Sequence, residues 1–172
     1  MENTELSKVL KKNYNLLYVV LGGSYEQLPL IYYLKKNYKE FKILTFDLYK
    51  KSPGSKISNY FFNIDIRDYK KIFSIIKDLN VVGISSIITE HSIKTINYLS
   101  KRLNLPSTSI DSVKATESKY FARKIFKEVF DEKIKYLRTD NYNSYLKFIK
   151  KNKINKFVLK PDISSGQRGL SL

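Results

Sequence analysis

The stretch LKPDISSGQRGLSL, residues 159–172, holds the residue types that phosphate recognition uses. Lys160 closes an apolar run, and Ser164, Ser165, Gly166, Gln167, Arg168 and Gly169 follow within a few positions. Glycine lets backbone N–H groups approach a ligand closely, and lysine adds one compact ammonium. The stretch is not a P-loop, because G-x-x-x-x-G-K-[ST] is absent and the lysine precedes the loop. An ordinary hairpin loop has the same composition, so both readings stay open at this point.

Three further groups could do chemistry. Gly22 and Gly23 follow an apolar run and precede a helical pattern, an arrangement that suits an anion. Asp47 closes the next apolar run, where a dinucleotide enzyme places its ribose-binding acid, but the G-x-G-x-x-G fingerprint is missing. A tight turn that binds nothing explains the pair equally well. Glu90 and His91 follow a third apolar run, at the edge where open α/β sheets bind ligands. His91 is the only histidine and cysteine is absent, so no thiolate or multi-histidine metal site exists. Finally, Lys119 lies near Arg123 and Lys124, either a phosphate contact or one solvated helix face.

The elements that must position these residues alternate. Residues 16–21 (LLYVVL) read as a strand, and Ser24 with Gln27 reads as a capping box for the next helix, in which Pro29 falls early. Residues 42–46 and 59–64 read as strands. Tyr69, Ile72, Phe73, Ile76 and Leu79 mark one face of a helix that begins at Asp65 or at Arg67–Asp68. Residues 81–89 read as a strand covered on both faces, because they run apolar without alternation. Ile93, Ile96 and Leu103 mark a helix ending before Pro106. This order predicts an α/β fold with a mostly parallel, Rossmann-like doubly wound sheet. Beyond it the chain turns polar, which puts a boundary near 106–116. A helix is predicted over 116–130 with Ala122, Ile125, Phe126 and Val129 inward. A short strand over 134–138, a helix over 142–151 and a strand over 156–160 complete the pattern.

The formal net charge is +16 in 172 residues, which raises the question of nucleic acid. Nearly all of that charge is lysine spread along the chain, with no dense basic run, whereas base-reading interfaces favour arginine. No specific nucleic-acid partner is expected. A hydrophobic content of 42% supports a packed core. No apolar run approaches the roughly 20 residues that span a bilayer, and the first residues lack a signal-peptide core. A cytoplasmic protein without a membrane partner is the expectation.

Four stretches, in order, resemble the ATP-grasp superfamily, in particular its carbamoyl-phosphate synthase large-subunit branch. They are YVVLGGSYEQLPLIYYLKK, LTFDLYKKSPG, LSKRLNLPSTSIDSVKATESK and FVLKPDISSGQRGLS. The resemblance implies an N-terminal tail (1–13), a Rossmann-like pre-ATP-grasp domain (14–112) and the first, truncated part of an α+β ATP-grasp domain (113–172). It implies that Lys119, Lys160 and the loop Ser164, Ser165, Gly166, Gln167 and Gly169 bind ATP. It places substrate near Gly22, Gly23, Glu90 and His91.

The activity implied by the resemblance is that of an ATP-dependent carboxylate–amine ligase working through an acylphosphate, with small-molecule carboxylate and amine substrates. In that family the chain continues beyond this length, and the missing part holds magnesium. No catalytic or metal residue is therefore assigned to this chain, magnesium is expected only in the complete enzyme, and this portion is expected to be inactive alone. A homo-oligomer or a separately encoded C-terminal half are the expected partners. Two other readings stay open: a Rossmann protein binding NAD or a nucleotide sugar, and a non-enzymatic basic binding module.

Overall fold

The computed structural model of the protein describes Leu10, residues 16–163 and Gly169. It divides into two compact units, residues 1–108 and 109–172.

The first unit is built on four parallel strands in the order β3-β2-β1-β4: β1 (Leu16–Leu21), β2 (Phe41–Asp47), β3 (Tyr60–Asn63) and β4 (Val81–Ser85). Side chains alternate across a strand, so each continuous apolar run feeds two faces. Leu17, Val19 and Leu21 of β1 join Leu44 and Phe46 of β2 in one cluster. Val20 and Ile43 point to the other. Helix α1 (Leu28–Asn37) covers the second face with Ile31 and Leu34. Helices α3 (Tyr69–Ile76) and α4 (Ile93–Arg102) cover the first with Ile72, Ile76 and Leu99. One helical turn, α2 (Gly54–Ile57), links β2 to β3. Phe46 and Phe62 stack at 5.4 Å in the larger cluster, and both are fully buried. Each such side chain contributes about 1.5–3 kcal/mol over its exposed state.

Two details depart from the sequence reading. Strand β4 ends at Ser85 and lies at the end of the strand order; Val81 is buried and its other residues are half-buried. Ile84 packs against the larger cluster, and Gly83 lies against the Tyr18 ring, which packs on the smaller one. Nor does Ser24 form a capping box with Gln27. A single 3₁₀ turn (Tyr25–Gln27) intervenes, the helix begins at Leu28 with Pro29 in its first turn, and the Ser24 side chain makes no cap bond. Asp68, by contrast, does cap α3, accepting from the Lys71 amide at 3.2 Å.

The second unit contains α5 (Ile110–Glu117), α6 (Lys119–Phe130) and α7 (Tyr142–Asn152). Each starts on a polar cap: Ser109, Ser118 and Asn141 accept from the amides of Ser112, Phe121 and Ser144. The expected helix over 116–130 therefore breaks at Ser118. The polar segment before it, where the sequence reading puts a boundary, is a helix that buries Val113. Phe126 and Val129 do not point inward; they are 42% and 64% exposed. Residues 134–138 form no regular strand, and in 156–160 only Leu159 makes an isolated bridge. Strand propensity reports a side chain that suits a sheet, while a strand itself requires a partner ladder. Ile134, Leu137, Val158 and Leu159 stay exposed accordingly. Among the described residues, no helix is long and apolar enough to cross a membrane.

Candidate functional site

The residues singled out fall into two groups, one in each unit. The first group sits at the carboxyl ends of the strands. Gly22 has φ +101, a backbone shape that favours glycine, and its amide donates to the Phe46 carbonyl at 2.8 Å. The Gly23 amide donates to Asp47 Oδ2 at 2.6 Å, and its carbonyl accepts from the Gly54 amide at 2.7 Å. The other Asp47 oxygen, Oδ1, accepts from the Tyr49 amide at 2.6 Å. Asp47 is buried, and both its oxygens are held by backbone N–H groups of its own unit. In the fold it pins the glycine turn against the β2–α2 loop. Glu90 and His91 lie in a 3₁₀ turn (Glu90–Ser92) that leads from β4 to α4, and both are exposed.

The second group is organised by a residue that the sequence reading passed over. Asp162 Oδ1 accepts from the Ser118 hydroxyl and from the Tyr120 amide, both at 2.8 Å. The Lys119 amide donates to the Asp162 carbonyl at 3.1 Å, and Lys119 Nζ lies 3.3 Å from the same oxygen. Arg138 Nε stands 3.3 Å from Asp162 Oδ2. A helix leaves its first N–H groups without intrahelical partners. Here Asp162 serves those of Lys119 and Tyr120, and Ser118 serves that of Phe121. Burial pushes the Asp162 carboxyl up, but the Tyr120 amide, the Ser118 hydroxyl and the charges of Arg138 and Lys119 outweigh it and hold the group below the usual carboxylate range.

This junction closes one end of a cleft of about 870 Å³, which falls within the size range of ligand pockets. Lys119, Arg123, Lys135, Arg138, Lys156 and Lys160 line it, against two carboxylates, Asp140 and Asp162. Its floor includes Tyr145 and Phe157, edge to face at 5.6 Å. Arg123 pairs with Glu132, and Lys135 Nζ donates to the Asn152 carbonyl at 3.3 Å. Cations and aromatic side chains lining one cleft suit a ligand with an anionic group and a flat apolar group.

Lys119 and Lys160, named from the sequence, thus share one cleft. Lys119 and Arg123 line it; Lys124, on the same helix, is exposed and does not. Ser164, Ser165, Gly166 and Gln167 lie outside the described residues, as does Arg168. Gly169 is described: its φ is +70, and a Cβ there would lie 2.8 Å from Pro161 Cγ, so glycine suits the position. The signal for Asp162 was present as an acid directly after the Lys-Pro pair, but nothing in the sequence aims it at Ser118. Among the described residues, no group of three or more His, Cys, Asp or Glu is placed to hold a metal ion.

No protein-family model and no curated protein matches the sequence. Solved structures do. The chain superposes on an N5-carboxyaminoimidazole ribonucleotide synthetase in complex with ADP at a TM-score of 0.71 and 16% identity, covering 91% of this chain and 40% of that one. Phosphoribosylglycinamide synthetase from Anaerococcus prevotii gives 0.65 and 17%, covering 80% and 35%. N5-carboxyaminoimidazole synthetase from Staphylococcus aureus, complexed with ADP, gives 0.62 and 14%, covering 80% and 36%. The likeness is one of fold: a Rossmann-like α/β sheet followed by the second unit. The chain spans well under half the length of these structures.

Proposed function

We propose that this chain is the N-terminal portion of a cytoplasmic ATP-grasp ligase that joins a carboxylate to an amine. The observation that carries the proposal is the convergence of Lys119 and Lys160 on one cation-rich cleft, with Asp162 fastening the strand-like segment of one to the helix of the other. The shared fold supports it, since two of the similar structures carry ADP. In this reading Lys119 and Lys160 meet the phosphates of ATP, and Ser164, Ser165, Gly166, Gln167 and Gly169 close over them. Gly22, Gly23, Glu90 and His91 form the substrate side, with Gly22 and Gly23 acting through the shape of their turn.

ATP is the substrate that activates the carboxylate as an acylphosphate, which the amine then attacks with loss of phosphate. Magnesium and the rest of the nucleotide site belong to further polypeptide, in the same chain or as a separately encoded partner. That is consistent with a chain matching 35–40% of the synthetases' length. The carbamoyl-phosphate synthase branch remains the proposed relative on the four sequence stretches.

Calorimetric titration of the full chain with ADP tests this reading. Binding weaker than micromolar is expected, and removing one charge-assisted phosphate contact, by Lys119→Ala or by Lys160→Ala, weakens it by roughly tenfold or more. Lys124→Ala leaves it unchanged. Equal binding by all three variants overturns the assignment of the lysines, and submicromolar affinity of the chain alone overturns the half-site.

A further inference from the structure

Gln27 is nearly fully buried at 2% exposure, yet it is a long polar side chain in a turn next to a helix start. Such a group is buried only with its hydrogen bonds made. Both are made to the backbone of one residue, Ile87. The Ile87 amide donates to Gln27 Oε1 at 3.0 Å, and Gln27 Nε2 donates to the Ile87 carbonyl. The side-chain amide thus pairs with backbone beyond the end of β4 as a neighbouring strand would.

The glycine turn makes room for this clamp. A Cβ on Gly22 would stand 3.2 Å from Gln27 Cγ, and φ of +101 already disfavours any other residue there. Of the two glycines that read in sequence as an anion cradle, Gly22 borders the glutamine, while Gly23 faces Ser52 and Asp47.

The clamped residue is followed by an irregular one. Ile88 has φ +59, a left-handed conformation that is an outlier for a β-branched residue, and it is 80% exposed. Strain of this kind persists only where the surroundings over-determine it, and it concentrates at ligand sites. The surroundings here are hydrogen bonds on both sides: Ser86 Oγ donates to the Leu21 carbonyl at 2.5 Å, and Ser92 Oγ to the Thr89 carbonyl at 3.1 Å. Between them the chain turns Ile88 outward, with Glu90 and His91 exposed just after it.

We infer that Gln27 is a positioning residue: through the backbone N–H and C=O of Ile87 it holds the 86–92 loop in the one shape that presents Ile88, Glu90 and His91 together to a ligand with an apolar group beside a polar one. The inference rests on the reading that this loop faces substrate, but its test needs no substrate.

Amide exchange and the single histidine signal are followed by NMR in the full chain. Gln27→Met keeps the volume and removes both bonds. In that variant the Ile87 amide exchanges roughly tenfold faster or more, while Val19 and Leu44 in the sheet keep their protection, and the His91 ring signal broadens. Gln27→Glu gives the sharper readout. A neutral carboxyl can accept from the Ile87 amide and donate to its carbonyl, whereas a carboxylate cannot donate. Burial favours the neutral form, so protection of Ile87 is restored where the introduced carboxyl is neutral and lost as pH rises through its raised pKa. Unchanged Ile87 exchange in Gln27→Met overturns the inference, as does equal loosening of Val19, Leu44 and Ile87. The substrate reading fails separately, if Glu90→Gln and His91→Asn leave KM for the carboxylate unchanged in the completed enzyme.

Discussion

Ser118 and Asp162 stand 44 residues apart in sequence and are joined by a 2.8 Å hydrogen bond from the Ser118 hydroxyl to Asp162 Oδ1. That bond, with the two from the Lys119 and Tyr120 amides, seats the start of α6 on the segment that follows Lys160. It is the geometric reason why Lys119 and Lys160 line one cleft.

Asp162→Ala removes the acceptor of the Tyr120 amide and the Ser118 hydroxyl together. Tyr120 is exposed and Ser118 half-buried, so each lost bond costs about 0.5–1.5 kcal/mol. The expected outcome is a lower urea midpoint for the second unit and faster exchange at Tyr120, with the sheet of the first unit unaffected. Asp162→Asn keeps an oxygen in place and costs less. Equal losses for both variants would show that the charge, not the hydrogen-bond acceptor, does the seating.

The same carboxylate sets an acid limit. Its folded pKa lies below its ordinary value, so it binds protons less readily folded than unfolded. Its contribution is complete above the unfolded pKa of about 3.9 and disappears as pH falls through the lower folded value. Asp65 adds to this in the first unit, where hydrogen bonds from Arg67 lower it against the effect of burial, with the Arg67 and His91 charges assisting. The stability gap between the wild-type chain and Asp162→Asn is therefore expected to be full at neutral pH and to close in stronger acid. A gap that stays constant from neutral to about pH 2 would rule this out.

Two glycines give a matched pair of tests. A Cβ on Gly54 would stand 2.8 Å from the Gly23 Cα and 3.1 Å from its carbonyl oxygen, both backbone atoms. A Cβ on Gly23 would meet mainly the Ser52 side chain, with Oγ at 2.5 Å, and that hydroxyl can rotate away. Gly54→Ala is expected to lose about 1–3 kcal/mol, the usual cost of overpacking, and Gly23→Ala less. Thermal unfolding of both variants ranks them. The reverse order would mean that Ser52 is the rigid partner.

The amino-acid sequence by itself determined the strands around Val19 and Leu44 and the helix around Ile72 and Ile76. Their apolar spacing is local, so the type of element and the face it offers for burial are read from it directly. It also carried Lys119 and Lys160 as residues worth testing, by resemblance to a family. Tertiary structure alone decided the rest. Only the fold turned Gln27 from a helix cap into a clamp on Ile87, a partner 60 residues away. Only the fold left Phe126 and Val129 exposed despite their helical spacing, because a stripe is buried only where another element covers it. Asp162 is the clearest case: a carboxylate has no periodicity to read, and its role exists only once Ser118, Tyr120 and Arg138 surround it.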